Sequence, residues 1–198
     1  TELELAESMG IGRNSVREAL KILTYLGVLE IHRPEGTFVG EGFTRSMINP
    51  MIYGIILEGA DSYTNLMDLR GIVESGVVYQ AMKKYNEEDV QQLKKALDHL
   101  KEEIQKGTDN VQGVFEADNQ FHEMISHMGH NPLVDKINQV VRELTYAIRL
   151  KSVEEVVKKG KGQEFYKEHE KIYVMVKEKN SSHIQETIRA TYYEVMNI

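Results

Sequence analysis

The chain has 198 residues, of which 41% are hydrophobic, and this is enough to bury a core. It has no cysteine, so disulfide scaffolds and thiolate metal sites are excluded and a metal site must use His, Asp, Glu or water. A net charge of -7 argues against a protein that coats nucleic acid or an anionic membrane over its whole surface, but it is compatible with a local basic surface. No apolar run approaches the roughly 18 residues of a membrane span.

The composition changes near residue 43. Residues 1–42 are rich in glycine and contain two short helical patterns followed by a pair of strand patterns. From residue 44 onward the pattern is helical, and clusters of Gly, Pro, Asn and Ser divide it into about seven helices. We therefore predict a mostly α protein, with a small domain at 1–42 and an all-α helical bundle at 43–198. The clusters fall at residues 58–60, 84–86, 106–108, 129–132, 159–162 and 179–182.

The opening residues predict a helix-turn-helix. Thr1 and Glu4 have the spacing of a capping box, in which each side chain accepts a hydrogen bond from the other residue's backbone N–H. The first helix should run to about Met9, and a tight Gly-Ile-Gly turn should separate it from a second helix that ends at Gly27. The predicted inward positions are Leu3, Leu5 and Ala6 on the first helix and Val16, Leu20, Ile22, Leu23 and Leu26 on the second.

The second helix has a basic face. Arg13, Arg17 and Lys21 follow one another at four-residue spacing, which places them on one side of the helix. Asn14 and Ser15 lie beside them in the first turns, where a recognition helix contacts base edges in DNA. Arginine can form two hydrogen bonds with guanine, and asparagine can do so with adenine. These five residues are therefore the candidate DNA contacts of this helix.

A hairpin follows the basic helix. Residues 28–32 and 37–39 alternate as strands around a turn at 33–36, and a hairpin directly after a recognition helix is a wing, placed to touch a phosphate or the minor groove. The alternative is a structural helical hairpin with a solvated basic face. Charge supports that alternative, because residues 1–42 carry four Lys and Arg against seven acids, a net count of -3. DNA binding then requires local concentration of positive charge, a dimer, or an arm before Thr1.

Polar residues interrupt the apolar stripes of the helical region. In the segment from Val111 to Met128, Asp118 and His122 fall inside the inward stripe, one helical turn apart. His169 falls in the middle of another inward stripe. An Asp and two His facing one interior could bind a divalent metal through oxygen and nitrogen. The alternative is a buried Asp–His hydrogen bond beside an ordinary core histidine.

Arg70 and Glu74 also lie on an inward face, between about residues 61 and 82, where Leu66, Leu69, Val73, Val77 and Ala81 form the predicted stripe. A buried guanidinium can hold a carboxylate ligand through two parallel hydrogen bonds. The alternative is an ion pair between Arg70 and Glu74, which their four-residue spacing allows. Thr191 and Tyr192 lie on or beside the inward stripe of the last helix, so we add them to the candidate effector-binding set.

The first 39 residues resemble the winged-helix domain of the GntR family of bacterial transcription regulators. The resemblance rests on Thr-Glu-Leu-Glu-Leu-Ala-Glu-Ser-Met-Gly-Ile-Gly-Arg-Asn-Ser-Val-Arg-Glu-Ala-Leu at residues 1–20, and on Leu-Gly-Val-Leu and Glu-Gly-Thr-Phe-Val in the hairpin. It implies that Arg13, Asn14, Ser15 and Arg17 face DNA, with Gly36 at the wing tip. It also implies a further helix before Thr1. Where some relatives have a basic residue, this chain has Leu3 and Glu4.

The helical region resembles the FCD domain of the FadR-like branch of that family. Arg70-Gly-Ile-Val-Glu74, Asp118-Asn-Gln-Phe-His122 and Glu-His169-Glu-Lys-Ile carry this resemblance. It implies a divalent metal, with zinc or nickel favoured, held by one Asp and three His. The fourth ligand position corresponds to Thr191, which departs from the pattern. Three alternatives follow: a three-ligand site completed by water or effector, a substitute such as Tyr192, or direct effector binding without metal. We favour the three-ligand site.

The combined expectation is a metabolite-responsive transcription regulator. The resemblance implies a cytoplasmic homodimer, more often a repressor, that binds a double-stranded operator and a small carboxylate effector and has no membrane partner. We expect no enzyme activity. One alternative is a metal-dependent enzyme that uses the two-His, one-carboxylate set, although no separate general base or nucleophile stands out beside it. The other is a helical adaptor that retains a winged helix for protein contacts.

Overall fold

A computed structural model describes residues 1–40 and 62–193. The chain divides into two compact units, Thr1–Gly59 and Ala60–Ile198. The domain boundary that the sequence predicts at 42/43 and the predicted break at residues 58–60 both fall outside the described residues. The boundary therefore stays a prediction.

The first unit is a helix-turn-helix followed by a two-stranded wing, as predicted. It contains α1 (Glu2–Met9), α2 (Arg13–Tyr25), β1 (Leu29–His32) and β2 (Gly36–Val39). The Thr1–Glu4 capping box is present, which confirms the predicted start of α1. Gly27 has a φ of 72°, and this left-handed conformation ends the α2 region where the sequence predicts it. The strands pair antiparallel, with Leu29 opposite Val39 and His32 opposite Gly36.

The predicted core of the first unit is partly wrong. Ala6 and Val16 are buried, but Leu3, Leu5, Ile22 and Leu26 are exposed. Helical periodicity identifies an apolar side of each helix, but burial also needs a facing surface. Two short helices and a two-stranded hairpin supply too little of that surface to cover all four residues.

The second unit contains seven helices within residues 62–193. They are α3 (Ser62–Lys84), α4 (Glu87–Gln105), α5 (Val111–His127), α6 (Pro132–Leu144), α7 (Tyr146–Lys158), α8 (Gly162–Lys177) and α9 (Ile184–Tyr193). Five of the predicted breaks separate consecutive helices among these seven. One break was missed, because residues 133–158 form two helices rather than one. They divide at Thr145, whose buried hydroxyl donates to the Val141 carbonyl over 2.8 Å.

The core of the second unit lies between α4, α5, α8 and the two helices that flank them, α3 and α9. α4 packs against α5 and α8, while α9 packs against α3 and α8. The predicted stripes are largely confirmed, with one exception: Leu69 on α3 is exposed. The most deeply buried apolar side chains include Leu93, Leu97, Phe121, Ile125, Ile172 and Ile188. These side chains enclose the polar residues described below.

Asn86 stabilises the start of α4. Its side chain accepts a hydrogen bond from the Asp89 backbone N–H over 3.0 Å, and the Asp89 side chain accepts one from the Asn86 N–H over 2.8 Å. Asn86→Ala removes the first of these bonds, so we expect the free energy of unfolding to fall by about 1 kcal/mol. Urea denaturation measures the change. Gln91→Ala, at an exposed position in the same helix, is the control and should change stability by less than about 0.5 kcal/mol.

Candidate functional sites

The basic face of α2 is held by an acid from α1. Glu2 accepts hydrogen bonds from Arg17 Nη2 over 3.0 Å and from Arg17 Nε over 3.2 Å, and its carboxylate lies 3.4 Å from Arg13 Nε. Hydrogen bonding from Arg17 lowers the pKa of Glu2, so this residue is a carboxylate at neutral pH. Glu2 thus occupies one edge of the Arg17 guanidinium.

The other predicted DNA contacts lie at the surface of the first unit. Asn14 and Ser15 are exposed in the first turn of α2. Lys21 pairs with Glu18 over 2.8 Å, and both side chains are largely exposed. Gly36 begins β2 directly after the wing turn and has a φ of 132°, a conformation that favours glycine. The structure therefore places all the predicted contact residues where a partner molecule can reach them.

Asp118, His122 and His169 come together inside the second unit. α5 supplies the first two residues and α8 supplies the third, and all three side chains are buried. Asp118 Oδ1 lies 3.5 Å from His122 Nε2 and 2.9 Å from His169 Nε2. One ligand atom from each residue lies within 4.8 Å of the others. Neighbouring ligands on one ion with bonds of about 2.1 Å lie roughly 3.0–3.4 Å apart, and the two Asp118 contacts, 2.9 and 3.5 Å, are close to that separation.

The hydrogen bonds of His169 fit a cation between these residues. His169 Nδ1 lies 2.8 Å from the Phe165 carbonyl oxygen, which can only accept, so Nδ1 carries the proton. Nε2 then has a lone pair that faces the Asp118 carboxylate. Because both groups are hydrogen-bond acceptors, a cation, either a proton or a metal ion, must lie between them. A backbone carbonyl that orients a metal-binding histidine in this way is a common second-shell partner.

The protonation states of the other two residues also suit a metal. Burial opposes ionisation of Asp118, but hydrogen bonding and attraction from His122 and His169 outweigh it and hold the pKa of Asp118 well below its usual range. Burial lowers the pKa of His122, which favours the neutral ring. A carboxylate and a neutral imidazole are the forms that bind metal ions.

Arg70 and Glu74 form a buried ion pair. Arg70 Nε donates to Glu74 Oε1 over 2.9 Å, and the Arg70 guanidinium lies 3.4 Å from the centroid of the Tyr192 ring. Burial raises the pKa of Glu74, but the charges of Arg70, His122 and Arg142, together with the hydrogen bond from Arg70, outweigh it and the net pKa is lowered. Thr191 is buried beside them and donates its hydroxyl to the Ile188 carbonyl over 2.7 Å. The ion pair predicted as an alternative is present, and Arg70 also lines a small chamber beside the Asp118, His122 and His169 cluster.

Two further buried arginines escaped the sequence prediction. Arg142 on α6 and Arg149 on α7 both donate to the side-chain oxygen of Asn119. Arg149 Nη1 also lies 3.8 Å from Asp118 Oδ2, and Arg142 Nη1 lies 3.8 Å from Glu74 Oε1. The available signal was the spacing of Arg149 with Val153, Val156 and Val157, four, seven and eight positions along, which puts it on the inward face of α7.

Two spaces adjoin these residues. A small chamber of about 20 Å³ has a lining that includes Arg70, Asp118, His122, Arg149, His169, Thr191 and Tyr192. An open groove of about 460 Å³ lies beside it, and Arg149 lines both spaces. The chamber has room for an ion or a water molecule, whereas the groove has the size of a small-molecule site.

Comparison with known proteins identifies the family. The model of the gntR family of bacterial regulatory proteins matches residues 1–39, and that of the FCD domain matches residues 65–193. The chain belongs to the GntR family and carries an FCD domain. This agrees with the resemblance seen in the sequence. The FCD match covers the helices that hold Arg70, Asp118, His122 and His169.

Named relatives of this GntR-family chain are transcription regulators. The chain is 30% identical to the HTH-type transcriptional regulator LutR of Bacillus subtilis, over 98% of this chain and 87% of the relative. It is 25% identical to the galactonate operon transcriptional repressor of Escherichia coli, over 74% and 64%. A solved Streptococcus agalactiae GntR structure shares the fold, with a TM-score of 0.72 and 18% identity over 100% of this chain and 87% of that one.

These findings decide between the functional classes. The protein is a transcription regulator of the GntR family with an effector-binding FCD domain, and it is not an enzyme. The alternatives of a metal-dependent enzyme and of a helical adaptor are dropped. GntR regulators bind operator DNA and effector ligands, typically as dimers. Within the described residues, no helix is both long and apolar enough to cross a membrane.

Proposed function

We propose that this regulator is a repressor that leaves its operator when a small carboxylate binds the helical domain. The observation that carries the proposal is the buried charge of that domain. Around the Asp118, His122 and His169 cluster, the buried Arg70, Arg142 and Arg149 face the buried Glu74 and Asp118, a local excess of three positive over two negative side chains when the histidines are neutral. An anion would balance this excess. The name of the E. coli relative, a transcriptional repressor, supports the proposed sign of regulation.

We further propose that Asp118, His122 and His169 hold a divalent metal, zinc or nickel. A bound ion would supply a Lewis-acidic position for an effector oxygen. Thr191 stands where the family resemblance implies a fourth ligand, but a neutral threonine hydroxyl is not among the Cys, His, Asp and Glu groups that bind zinc in proteins. The favoured site therefore has three protein ligands. Arg70, Glu74, Thr191 and Tyr192 form the proposed effector wall beside it.

The proposed DNA-binding surface is the basic start of α2 and the wing. Arg13, Asn14, Ser15 and Arg17 would contact base edges, while Lys21 and Gly36 would approach the sugar-phosphate backbone. Effector and operator affinities are linked, because an effector that favours one arrangement of the dimer must change operator binding by the same free energy. We assign the link between effector binding and operator binding to residues 43–50, which lie outside the described part of the chain.

Operator release by a carboxylate tests this proposal. Protein bound to a fluorescent duplex, enriched from a randomised DNA library, is titrated with a panel of small organic acids and with their uncharged amides. At least one acid should release the duplex, and its amide should not. Release by no acid, or equal release by acid and amide, overturns the carboxylate effector while leaving DNA binding intact.

Arg70 has a specific expected effect in this assay. Arg70→Lys keeps a positive charge beside Glu74 but loses the planar pair of donors, so the acid concentration needed for release should rise about tenfold. Operator affinity without acid should stay within about twofold. Thermal unfolding checks that the buried ion pair is still satisfied. An unchanged response to the acid would remove Arg70 from the effector wall.

The proposed dimer also has a test. α3 exposes Leu69 and Ile72, and its neighbour α6 exposes Leu133 and Ile137, although such residues are usually covered. Ile72→Glu should shift the protein toward monomer in sedimentation equilibrium without loss of helicity, because this side chain is 62% exposed. Gln91→Glu adds the same charge on α4 as a control. A wild type that is monomeric at micromolar concentration contradicts the proposed dimer.

A further inference from the structure

Glu2 holds the Arg17 guanidinium along one of its edges. Arg17 Nε donates to Glu2 Oε2 over 3.2 Å, and Arg17 Nη2 donates to the same oxygen over 3.0 Å. Nε and Nη2 lie on one side of the planar guanidinium, so the carboxylate approaches this group from the side and not from its end. Hydrogen bonds between ionised partners are the strong ones, and a planar pair of donors adds geometric specificity. The orientation of Arg17 is thus set within the protein.

The end of the same guanidinium is open. It consists of Nη1 and the second hydrogen of Nη2, and within residues 1–40 Nη1 donates no hydrogen bond. The Arg17 side chain is 43% exposed. Guanine presents two acceptors, O6 and N7, in the major groove, and the paired donors of an arginine match them. Arg17 can therefore bind Glu2 along its side and a guanine at its end at the same time.

Glu2 is itself anchored by the fold. It is the first residue of α1, directly after Thr1, whose side chain accepts a hydrogen bond from the Glu4 backbone N–H. The partial positive charge at the start of a helix favours a carboxylate there. α1 also packs against α2, and the Glu2 side chain is 34% exposed. The carboxylate that orients Arg17 therefore extends from a capped helix end.

The other two cations of the α2 face are held differently. Arg13 Nε lies 3.4 Å from Glu2 Oε2, and the Arg13 side chain is 58% exposed. Lys21 pairs with Glu18, an exposed residue of its own helix. Of these three cations, only Arg17 donates from two nitrogens to an acid of the neighbouring helix. A side chain that is already held in its binding conformation loses less conformational entropy on binding. A positioning role for Glu2 thus concerns Arg17 first.

We propose that Glu2 is a positioning residue that makes Arg17 selective for a guanine in the operator. Glu2 occupies the side edge of the guanidinium, so a DNA phosphate does not gain that edge and the open end is presented to the bases. The negative charge of Glu2 also repels phosphates, which disfavours binding to DNA of any sequence. The inference rests on the proposed DNA-binding surface, because Glu2 acts through the contact of Arg17 with the operator.

Base preferences measured by sequencing test this role. Duplexes are enriched from one randomised library by the wild type and by each variant, and the base frequencies are compared position by position. Arg17→Ala should lose the preference for one guanine in each operator half, which identifies the base that Arg17 reads. Glu2→Gln keeps the size of the side chain without its charge, and it should reduce the preference for that same guanine about tenfold, within the discrimination that a bidentate arginine provides. The base preference that Arg13→Ala loses should largely persist in Glu2→Gln.

The ratio of operator affinity to unrelated-duplex affinity is the second measurement. Glu2→Gln should gain more affinity for the unrelated duplex than for the operator, so this ratio should fall about tenfold. Glu18→Gln is the matched control, because it removes a negative charge next to Arg17 in the sequence but from a residue that bonds Lys21, and it should leave the ratio unchanged. In the Arg17→Ala background, Glu2→Gln should no longer alter the ratio, since a residue that acts through Arg17 needs it.

Two results overturn the inference while leaving the proposed DNA-binding surface intact. One is a Glu2→Gln variant, helical by circular dichroism, that keeps the full preference for the guanine read by Arg17. The other is a variant that loses only a preference for cytosine at a different position, which would make the Glu2 carboxylate a direct base contact. An Arg17→Ala variant that loses no base preference overturns the proposed surface and the role of Glu2 with it, so the two failures remain distinguishable.

Discussion

Arg13→Ala and Arg17→Ala are each expected to weaken binding to the enriched operator duplex by about 10- to 100-fold. The reason is that a guanidinium with two hydrogen bonds to a guanine contributes roughly 1–3 kcal/mol to discrimination between bases. Both residues lie in the first turns of α2, where a recognition helix enters the major groove. Fluorescence anisotropy at one fixed salt concentration measures the loss, and an unrelated duplex of equal length measures its specificity.

Lys21→Ala should give a different pattern. A residue that contacts phosphate weakens binding to the operator and to the unrelated duplex alike, and its loss reduces the slope of log affinity against log salt by about 1. The Arg13→Ala and Arg17→Ala variants should instead lose more affinity for the operator than for the unrelated duplex. Equal losses on both duplexes for all three variants would show that α2 makes only backbone contacts.

Glu2→Gln separates a DNA role from a structural one. Glu2 pairs with both Arg13 and Arg17, so this change removes the same ion pairs but leaves the two arginines in place. If the arginine variants fail only because those pairs are lost, Glu2→Gln should fail equally. We expect it to bind DNA at least as tightly as the wild type, since it removes a negative charge from the proposed surface. Operator binding unchanged in both arginine variants would refute the placement of the reading helix.

The sequence predicted most of the helix boundaries because they depend on local chemistry. Gly27 and the clusters of Gly, Pro, Asn and Ser end helices through backbone conformations that a single residue type determines. The break at Thr145 has no such residue, and it depends on a hydroxyl that bonds back to the preceding turn. The exposed Leu3 and Ile22 show where the prediction of burial was wrong. Their stripes were identified correctly, but no local pattern shows whether another element covers a stripe.

The polar site was predictable to the extent that its residues interrupt apolar stripes. Asp118, His122 and His169 stand at positions where a polar side chain is costly without a partner, and the structure brings them together. Arg142 and Arg149 escaped because long cationic side chains usually extend to solvent, so their burial cannot be inferred from composition. Their interaction with Asn119 depends on the packing of three helices.

Asp118→Ala and His169→Ala are each expected to remove nearly all bound metal from protein purified without chelator. The wild type should carry about one divalent ion per chain by inductively coupled plasma mass spectrometry. With three protein ligands, loss of one leaves a two-ligand site, and binding should fall by at least 100-fold. His122→Ala should behave in the same way. Metal removal should also lower the Tm, because an ion at 1,000 times its dissociation constant stabilises the folded state by about 4 kcal/mol.

Matched substitutions separate the metal site from general damage. His130→Ala removes a half-exposed histidine that pairs with Asp89, away from the cluster, and should leave metal content unchanged. Thr191→Val removes the hydroxyl that already donates to the Ile188 carbonyl, so metal content should again be retained. Loss of metal in Thr191→Val would instead make Thr191 a fourth ligand.

The protonation of His169 gives the metal proposal its sharpest test. With Nδ1 donating to the Phe165 carbonyl, the Nε2 lone pair and the Asp118 carboxylate need a cation between them, and a proton could serve instead of a metal. A protonated ring should then give an imidazolium signal in nitrogen NMR of the wild type as purified, whereas a metal site should give a neutral ring whose Nε2 resonance shifts on chelation. A signal that is imidazolium before and after chelation, in protein without metal, would reduce the cluster to a buried Asp–His ion pair. The carboxylate effector would then depend on the arginines alone.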